Sequence, residues 1–253
     1  MRDARDAIDY GNWVPVRFIV LPAALAAAFA GFSHWWRPLM VGAAVCIVAA
    51  VYLLYAHRRF SPAGGNLQAR IRDLVFAHLP WDGKGQLLDI GCGNGALAIE
   101  AARRYPKAQV TGIDCWGGKW EYSMERCRSN ARLAAVADRT TFRKASAVCL
   151  PFPEEAFDAV VSNLVFHEVQ ETRDKRAVVR EALRVVKKGG VFAFQDLFLW
   201  RSLYGEPGAL AASVRSWGID EVSLIDTNQE LLVPRALRLP FMLGNTELLF
   251  GRK

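Results

Sequence analysis

The chain has 253 residues, 52% of them hydrophobic and 23% charged, which allows one ordinary domain plus an additional apolar segment. Its net charge of +7 is not gathered into a basic stripe interleaved with aromatic residues, so no nucleic-acid partner is expected. The five cysteines, Cys46, Cys92, Cys115, Cys127 and Cys149, show no C-x-x-C pair and no zinc-site spacing, so they read as reduced cytosolic residues and no metal is expected.

The first 65 residues carry six Arg against three Asp. Within them, Phe18 to Phe32 and Leu39 to Ala56 are uncharged, and at 1.5 Å per residue they reach about 22 and about 27 Å, against a hydrocarbon core of about 30 Å. Starting the first segment at Trp13, with Arg17 snorkelling, brings it to about 30 Å and leaves Pro22 as a kink. The short connection Ser33 to Pro38 holds Trp35 and Trp36, which suit the headgroup layer. The pattern predicts a transmembrane hairpin, about 13–33 and 39–57. A re-entrant hairpin in one leaflet or a soluble helical pair is the alternative. An immediately following second apolar segment argues against a cleaved signal peptide. Arg2, Arg5 and Arg17 precede the hairpin, Arg58 and Arg59 follow it, and only Arg37 lies between. Both ends are therefore expected on the cytoplasmic side of the inner membrane, with membrane lipids as partners. Residues 1–60 are read as this segment and 61–253 as a second domain that begins with the linker Ser61 to Gly65. The next helix carries Ile71, Leu74, Val75 and Leu79 at helical spacing and is expected to pack on a sheet edge.

The run Leu87-Leu88-Asp89-Ile90-Gly91-Cys92-Gly93-Asn94-Gly95 then joins a buried strand to a helix, Ala96 to Arg104, through three glycines. Neither G-x-G-x-x-G nor the phosphate loop fits it. Asp89 stands where a dinucleotide site wants a phosphate and would repel one, so it suits a ligand carrying positive charge and an amine. The next strand, Gln109 to Asp114, ends on a carboxylate about 20 residues on, where an α/β nucleoside site needs an acceptor for ribose hydroxyls; helix capping is its other reading. Phe157 to Asn163 reads as a further buried strand, followed by Leu164 to Glu168. In Glu181 to Gly190, Leu183, Val185 and Val186 share one helical face before Lys187-Lys188-Gly189-Gly190 and the helix stops at the glycines, after which Val191 to Asp196 starts the fifth strand.

These motifs, between residues 85 and 196, resemble the class I S-adenosylmethionine-dependent methyltransferases, whose first motif has the form D-x-G-x-G-x-G. The resemblance implies an α/β fold with a doubly wound, seven-stranded, mainly parallel sheet. It implies S-adenosylmethionine as cofactor and S-adenosylhomocysteine as product. Asp89, Gly91, Cys92, Gly93 and Asn94 would hold the cofactor, with Asp114 on the ribose, Cys115 and Trp116 at the adenine face, and Asn163 near the methionine part. His167 would lie near the substrate. The family often has an acidic residue on the adenine amine in the loop after the third strand; here that stretch is Lys144-Ala145-Ser146-Ala147, so Ser146 and Ala147 stand in its place and Ser146 is a neutral, weaker acceptor.

Beyond Asp196, Pro207 to Trp217 reads as a helix, Val222 to Ile225 as a strand and Glu247 to Phe250 as the last strand. Leu231 to Leu243 is too apolar for a free loop and is expected to line a hydrophobic entry or to pack in the core. His167 is the first candidate base, with an ordinary pKa near 6.5, or else a helix cap; Glu168 and Tyr10 are weaker candidates. Ile8 to Trp13 is read as a lid over the site or an interfacial anchor. The sequence thus predicts a membrane-anchored methyltransferase acting on a hydrophobic or lipid-phase small molecule, with a homo-oligomer through the hairpin left open. The rival reading is a membrane scaffold or sensor that binds the cofactor without turnover.

Overall fold

A computed structural model of the protein describes residues 7–117, 121–206, 208–219 and 221–253. Arg2 and Arg5, used above for orientation, and Pro207 lie outside them. Contacts divide the chain into two units, Gly11–Arg70 and the remainder.

In the first unit, α1 (Val16–Phe32) packs along α2 (Leu39–Phe60). Ala26, Ala43 and Ala56 are buried while Val41, Val45, Val48 and Val51 are exposed, and Phe29 lies against Gly42 where any Cβ would be crowded. Small residues let two backbones approach closely. The helix α2, at 22 residues, is long and apolar enough to cross a membrane, whereas α1 has 17 and falls short. The sequence placed the helices at about 13–33 and 39–57. Helix α1 starts later because residues before Val16 form a strap: Asn12 Nδ2 donates to the His57 carbonyl at 3.0 Å, and His57 Nδ1 lies 2.7 Å from the Val14 carbonyl. Helix α2 runs on to Phe60, whose ring meets Trp13 edge-on at 5.4 Å.

The second unit is built on β1 (Gly85–Ile90), β2 (Ala108–Asp114), β3 (Thr140–Lys144), β4 (Phe157–Asn163), β5 (Val186–Asp196), β6 (Glu221–Asp226) and β7 (Glu247–Arg252), in the order β3-β2-β1-β4-β5-β7-β6. The strands β1 to β5 pair in parallel, and β7 is antiparallel to both neighbours. Alternate residues of a strand face opposite sides. Leu87, Val110, Val161 and Ala193 therefore share one core with α4 (Ala96–Arg104) and residues of α3 (Leu67–Ala77) and α5 (Met124–Leu133). Leu88, Val160, Phe192 and Phe194 share the other with α6 (Lys175–Arg184) and α8 (Ala209–Ser216). Two cores make the sheet apolar on both faces, as parallel strands require. The order reverses between β1 and β4, so the carboxyl ends of these strands form a crevice, the usual ligand position in such sheets.

The helix expected to run to Gly189 ends instead at Arg184, and β5 begins at Val186. Its register jumps from Phe157↔Val186 to Ala159↔Val191, so Lys187 to Gly190 form a bulge, with Gly189 at φ +74° and Lys187 on Asp158 at 2.8 Å. Helix α8 starts at Ala209, after Gly208 at φ +82°. Two short helices follow no expectation from the sequence, α7 (Arg201–Tyr204) and α9 (Thr227–Glu230). In Leu231 to Leu243, Val233, Leu237 and Leu243 are buried and Leu232, Leu239 and Phe241 exposed, so the stretch divides between core and surface.

Candidate active site

Asp89, Gly91, Cys92, Gly93 and Asn94 all lie at the carboxyl end of β1. Gly91 has φ +74°, and an added Cβ would meet the Val165 side chain at 2.2 Å; the position accepts only glycine. Gly91 and Cys92 both donate backbone N–H groups to the Ile113 carbonyl, at 2.8 and 2.9 Å, which bends the loop toward β2. Asp114 completes the bend. Its Oδ2 accepts from Gly93 N at 2.9 Å and its Oδ1 from Trp116 N at 2.8 Å, while Trp116 Nε1 donates to the Gly93 carbonyl at 2.8 Å. The structure therefore brings Asp114, Trp116 and the glycine loop into one network. Cys115 is exposed beside them.

Asp89 is 1% exposed and its Oδ2 has no hydrogen-bond partner in the protein. Burial raises its pKa to about 8, against the Ala98 N–H, and the nearby Asp114 charge adds to the rise. Asn163, at the end of β4, also has a buried Oδ1 without a partner. Buried acceptors are rarely left unpaired, because each then carries its desolvation cost in full. Both belong to the face that carries Leu87 and Val161.

Asn94 Oδ1 accepts from Ser123 N at 3.1 Å, and its carbonyl accepts from Asn130 Nδ2 at 3.0 Å. The same Asn130 amide grips the backbone of Asp9, accepting from its N–H at 3.1 Å and donating to its carbonyl at 2.8 Å. The segment before the hairpin is thus tied to the glycine loop through one fully buried side chain. Tyr10 follows, half-buried, with Arg72 at 5.6 Å from its ring; burial raises its pKa against that cation.

His167 stands in a different network. Its Nδ1 lies 2.8 Å from Asp196 Oδ1 and its Nε2 3.5 Å from Glu168. Burial disfavours the imidazolium, yet the Asp196 and Glu168 carboxylates outweigh it and raise the pKa to about 10. Both ring nitrogens thus face carboxylates, which favour the protonated ring. Asp196 is fully buried and accepts further from Val165 N, Phe166 N, Leu197 N and Tyr204 Oη, at 3.0, 2.7, 2.7 and 3.2 Å. Sequence reading took Asp196 only for a strand end; a carboxylate closing a buried strand beside a His-bearing loop was the available signal.

Ser146 donates to Glu171 Oε1 at 2.8 Å and accepts from Val148 N at 3.3 Å. Glu171 was not singled out in the sequence, because it follows β4 rather than β3. An acid thus stands beside the loop after β3 in space, within electrostatic reach of Cys115. Ala147 adjoins the pair, half-buried and packed against the second core. Of the remaining cysteines, Cys127 is buried and donates to the Gly93 carbonyl at 3.0 Å, and Cys149 is exposed. Among the described residues, no three His, Cys, Asp or Glu side chains gather as a metal-ion site.

Residues 88–194 match the family model described as a methyltransferase domain. The curated relative 27-O-demethylrifamycin SV methyltransferase of Amycolatopsis mediterranei is 36% identical over 160 residues, 63% of this chain and 56% of its own. The chain spans about half the length of such relatives. Two solved structures share the fold: the [4+2]-cyclase SpnF, with a TM-score of 0.53 at 23% identity, covering 73% of this chain and 80% of that one; and geranyl diphosphate C-methyltransferase of Streptomyces coelicolor, with 0.56 at 17%, covering 74% and 80%. The latter was solved with Mg2+, geranyl diphosphate and S-adenosyl-L-homocysteine. Over residues 88–194 the chain is therefore similar to methyltransferase domains, and its fold is that of the two solved structures. A cofactor of the S-adenosylmethionine kind, whose product is bound in the second of these structures, is the group to test against this site. The residues present fit it: Asp89 Oδ2 and Asn163 Oδ1 are buried acceptors without a protein partner, one of them a carboxylate, as a cationic, amine-bearing ligand requires.

Proposed function

We propose that the protein is an S-adenosylmethionine-dependent methyltransferase anchored in the inner membrane by its hairpin, with the domain on the cytoplasmic side, acting on a hydrophobic or lipid-phase small molecule. The observation that carries the activity is Asp114: one carboxylate ties the glycine loop of β1 to the turn after β2 and keeps lone pairs for a ribose diol. Asp89 and Asn163 take the amine-bearing end, Asn94 supports the loop, and Cys115 and Trp116 border the base, with Ser146 and Ala147 beside it. The cofactor supplies an activated methyl group, and the protein's part is alignment and proton removal where the acceptor needs it. His167, held by Asp196, positions the acceptor and stabilises negative charge developing on it; Tyr10 is the second candidate beside the substrate.

The membrane reading rests on α2, whose length and apolar surface suit a span, and on the Arg-rich flanks of the hairpin. Its shorter partner α1 pairs with it, and a second copy packing on the same hairpin is part of the proposal. A protein released from membranes by high-salt wash alone overturns the anchor.

One observation favours a second reading, a cofactor-binding protein without turnover: both ring nitrogens of His167 face carboxylates, Asp196 at 2.8 Å and Glu168 at 3.5 Å, which favours the protonated ring over a free base. Calorimetry with S-adenosylmethionine and an assay for S-adenosylhomocysteine with membrane extract separate the two. Binding with product supports the enzyme, binding without product supports the sensor, and no binding defeats both.

A further inference from the structure

Among the described residues, five buried side-chain N or O atoms lack a hydrogen-bond partner, and four of them are acceptor oxygens: Asp89 Oδ2, Asn163 Oδ1, Gln195 Oε1 and Asn228 Oδ1. Each lies at or just past the carboxyl end of its strand, β1, β4, β5 or β6. Gln195 pairs with Asn163 in register and follows Ala193 on the face that carries Asp89 and Asn163. It is fully buried, and its Nε2 donates to Thr227 Oγ1 at 2.6 Å. Asn228, next in the chain, is 4% exposed, and its Nδ2 donates to the Leu243 carbonyl at 2.7 Å. Each amide thus has one N–H engaged and its oxygen unspent.

Asp89 and Asn163 belong to the cofactor half of the edge. We infer that Gln195 and Asn228 form a subsite for the methyl acceptor, and that the acceptor is an uncharged or cationic molecule whose hydroxyl or amine donates to their oxygens while an apolar body lies along the neighbouring Leu231 to Leu243 stretch. The unpaired Asp89 carboxylate oxygen and amide oxygens along this edge disfavour an anionic head group such as a diphosphate. The inference rests on the proposed methyltransferase reading only in calling the ligand the methyl acceptor.

The test uses the full chain in detergent, saturated with S-adenosylhomocysteine, and compares 4-butylphenol with 4-butylanisole, which lacks only the donor hydrogen. Calorimetry is expected to show the phenol about tenfold tighter, the contribution of one neutral hydrogen bond. Gln195→Leu and Asn228→Leu each bring the ratio toward one while S-adenosylhomocysteine binding stays within about twofold. Gln195→Glu, which keeps an acceptor of the same length, retains the preference and guards against a folding defect in the leucine variant. Equal binding of the two probes to the natural protein, or a preference surviving both leucine substitutions, overturns the subsite. Loss of S-adenosylhomocysteine binding by the natural protein overturns the methyltransferase reading instead, and the phenol preference is then read without it.

Discussion

Asp114 Oδ2 accepts the Gly93 amide at 2.9 Å, so the carboxylate at the end of one strand fixes the turn at the end of its neighbour. Asp114→Ala is expected to weaken S-adenosylhomocysteine binding by at least about 100-fold and to cost about 1–3 kcal/mol of stability, since two backbone donors lose a charged acceptor. Calorimetry and urea unfolding measure the two effects. Binding as tight as that of the natural protein would refute this placement of the ribose site.

His167 and Asp196 make stability pH-dependent. The folded pKa of His167, about 10, lies above its unfolded value near 6.5, so the contribution is complete below about pH 6.5 and fades as pH rises through 10. Asp196 titrates below the ordinary carboxylate range despite burial, because His167 and the surrounding donors hold its charge. Its contribution is present above about pH 4 and fades as pH falls through the lower folded value. The urea midpoint of the natural protein minus that of His167→Gln should be largest near pH 6 and shrink by pH 10.5. A difference constant across that range contradicts the pair.

Asp89 is mostly protonated at pH 7, and a cationic ligand beside it favours the ionised form. Binding of S-adenosylmethionine at pH 7 is therefore expected to release a proton, seen as a binding enthalpy that varies with buffer ionisation enthalpy. Asp89→Asn should abolish that dependence. Buffer-independent enthalpy in the natural protein would count against Asp89 facing the cation.

Gly91→Ala places a Cβ 2.2 Å from a Val165 methyl at φ +74°. Left-handed strain and overpacking together predict a loss of about 2–4 kcal/mol. Val165→Ala in the same chain should restore part of it. If the double variant is no more stable than Gly91→Ala alone, the clash is not the cause.

Much of the domain could be read from the sequence because parallel strands buried on both faces are long apolar runs, and because turns with φ above zero demand glycine. Thus β4 and α4 fall where the pattern put them, and Asp89, Gly91, Gly93 and Asp114 are visible from their spacing. The end of α6 was misread because the glycines at 189 and 190, which resemble a helix stop, instead serve a bulge within β5. Residues joined by long-range pairing left no local trace. Asp196 comes to His167 from 29 positions away, Glu171 to Ser146 from 25, and Asn130 to Asp9 from 121. By itself, the sequence determined which strand ends carry the cofactor-type motifs and that an apolar hairpin precedes them, since those depend on local sterics and periodicity. The tertiary structure decided which carboxylate governs His167, which acid stands by Ser146 and which oxygens remain unpaired, because burial and strand register set the partners of charged and polar groups.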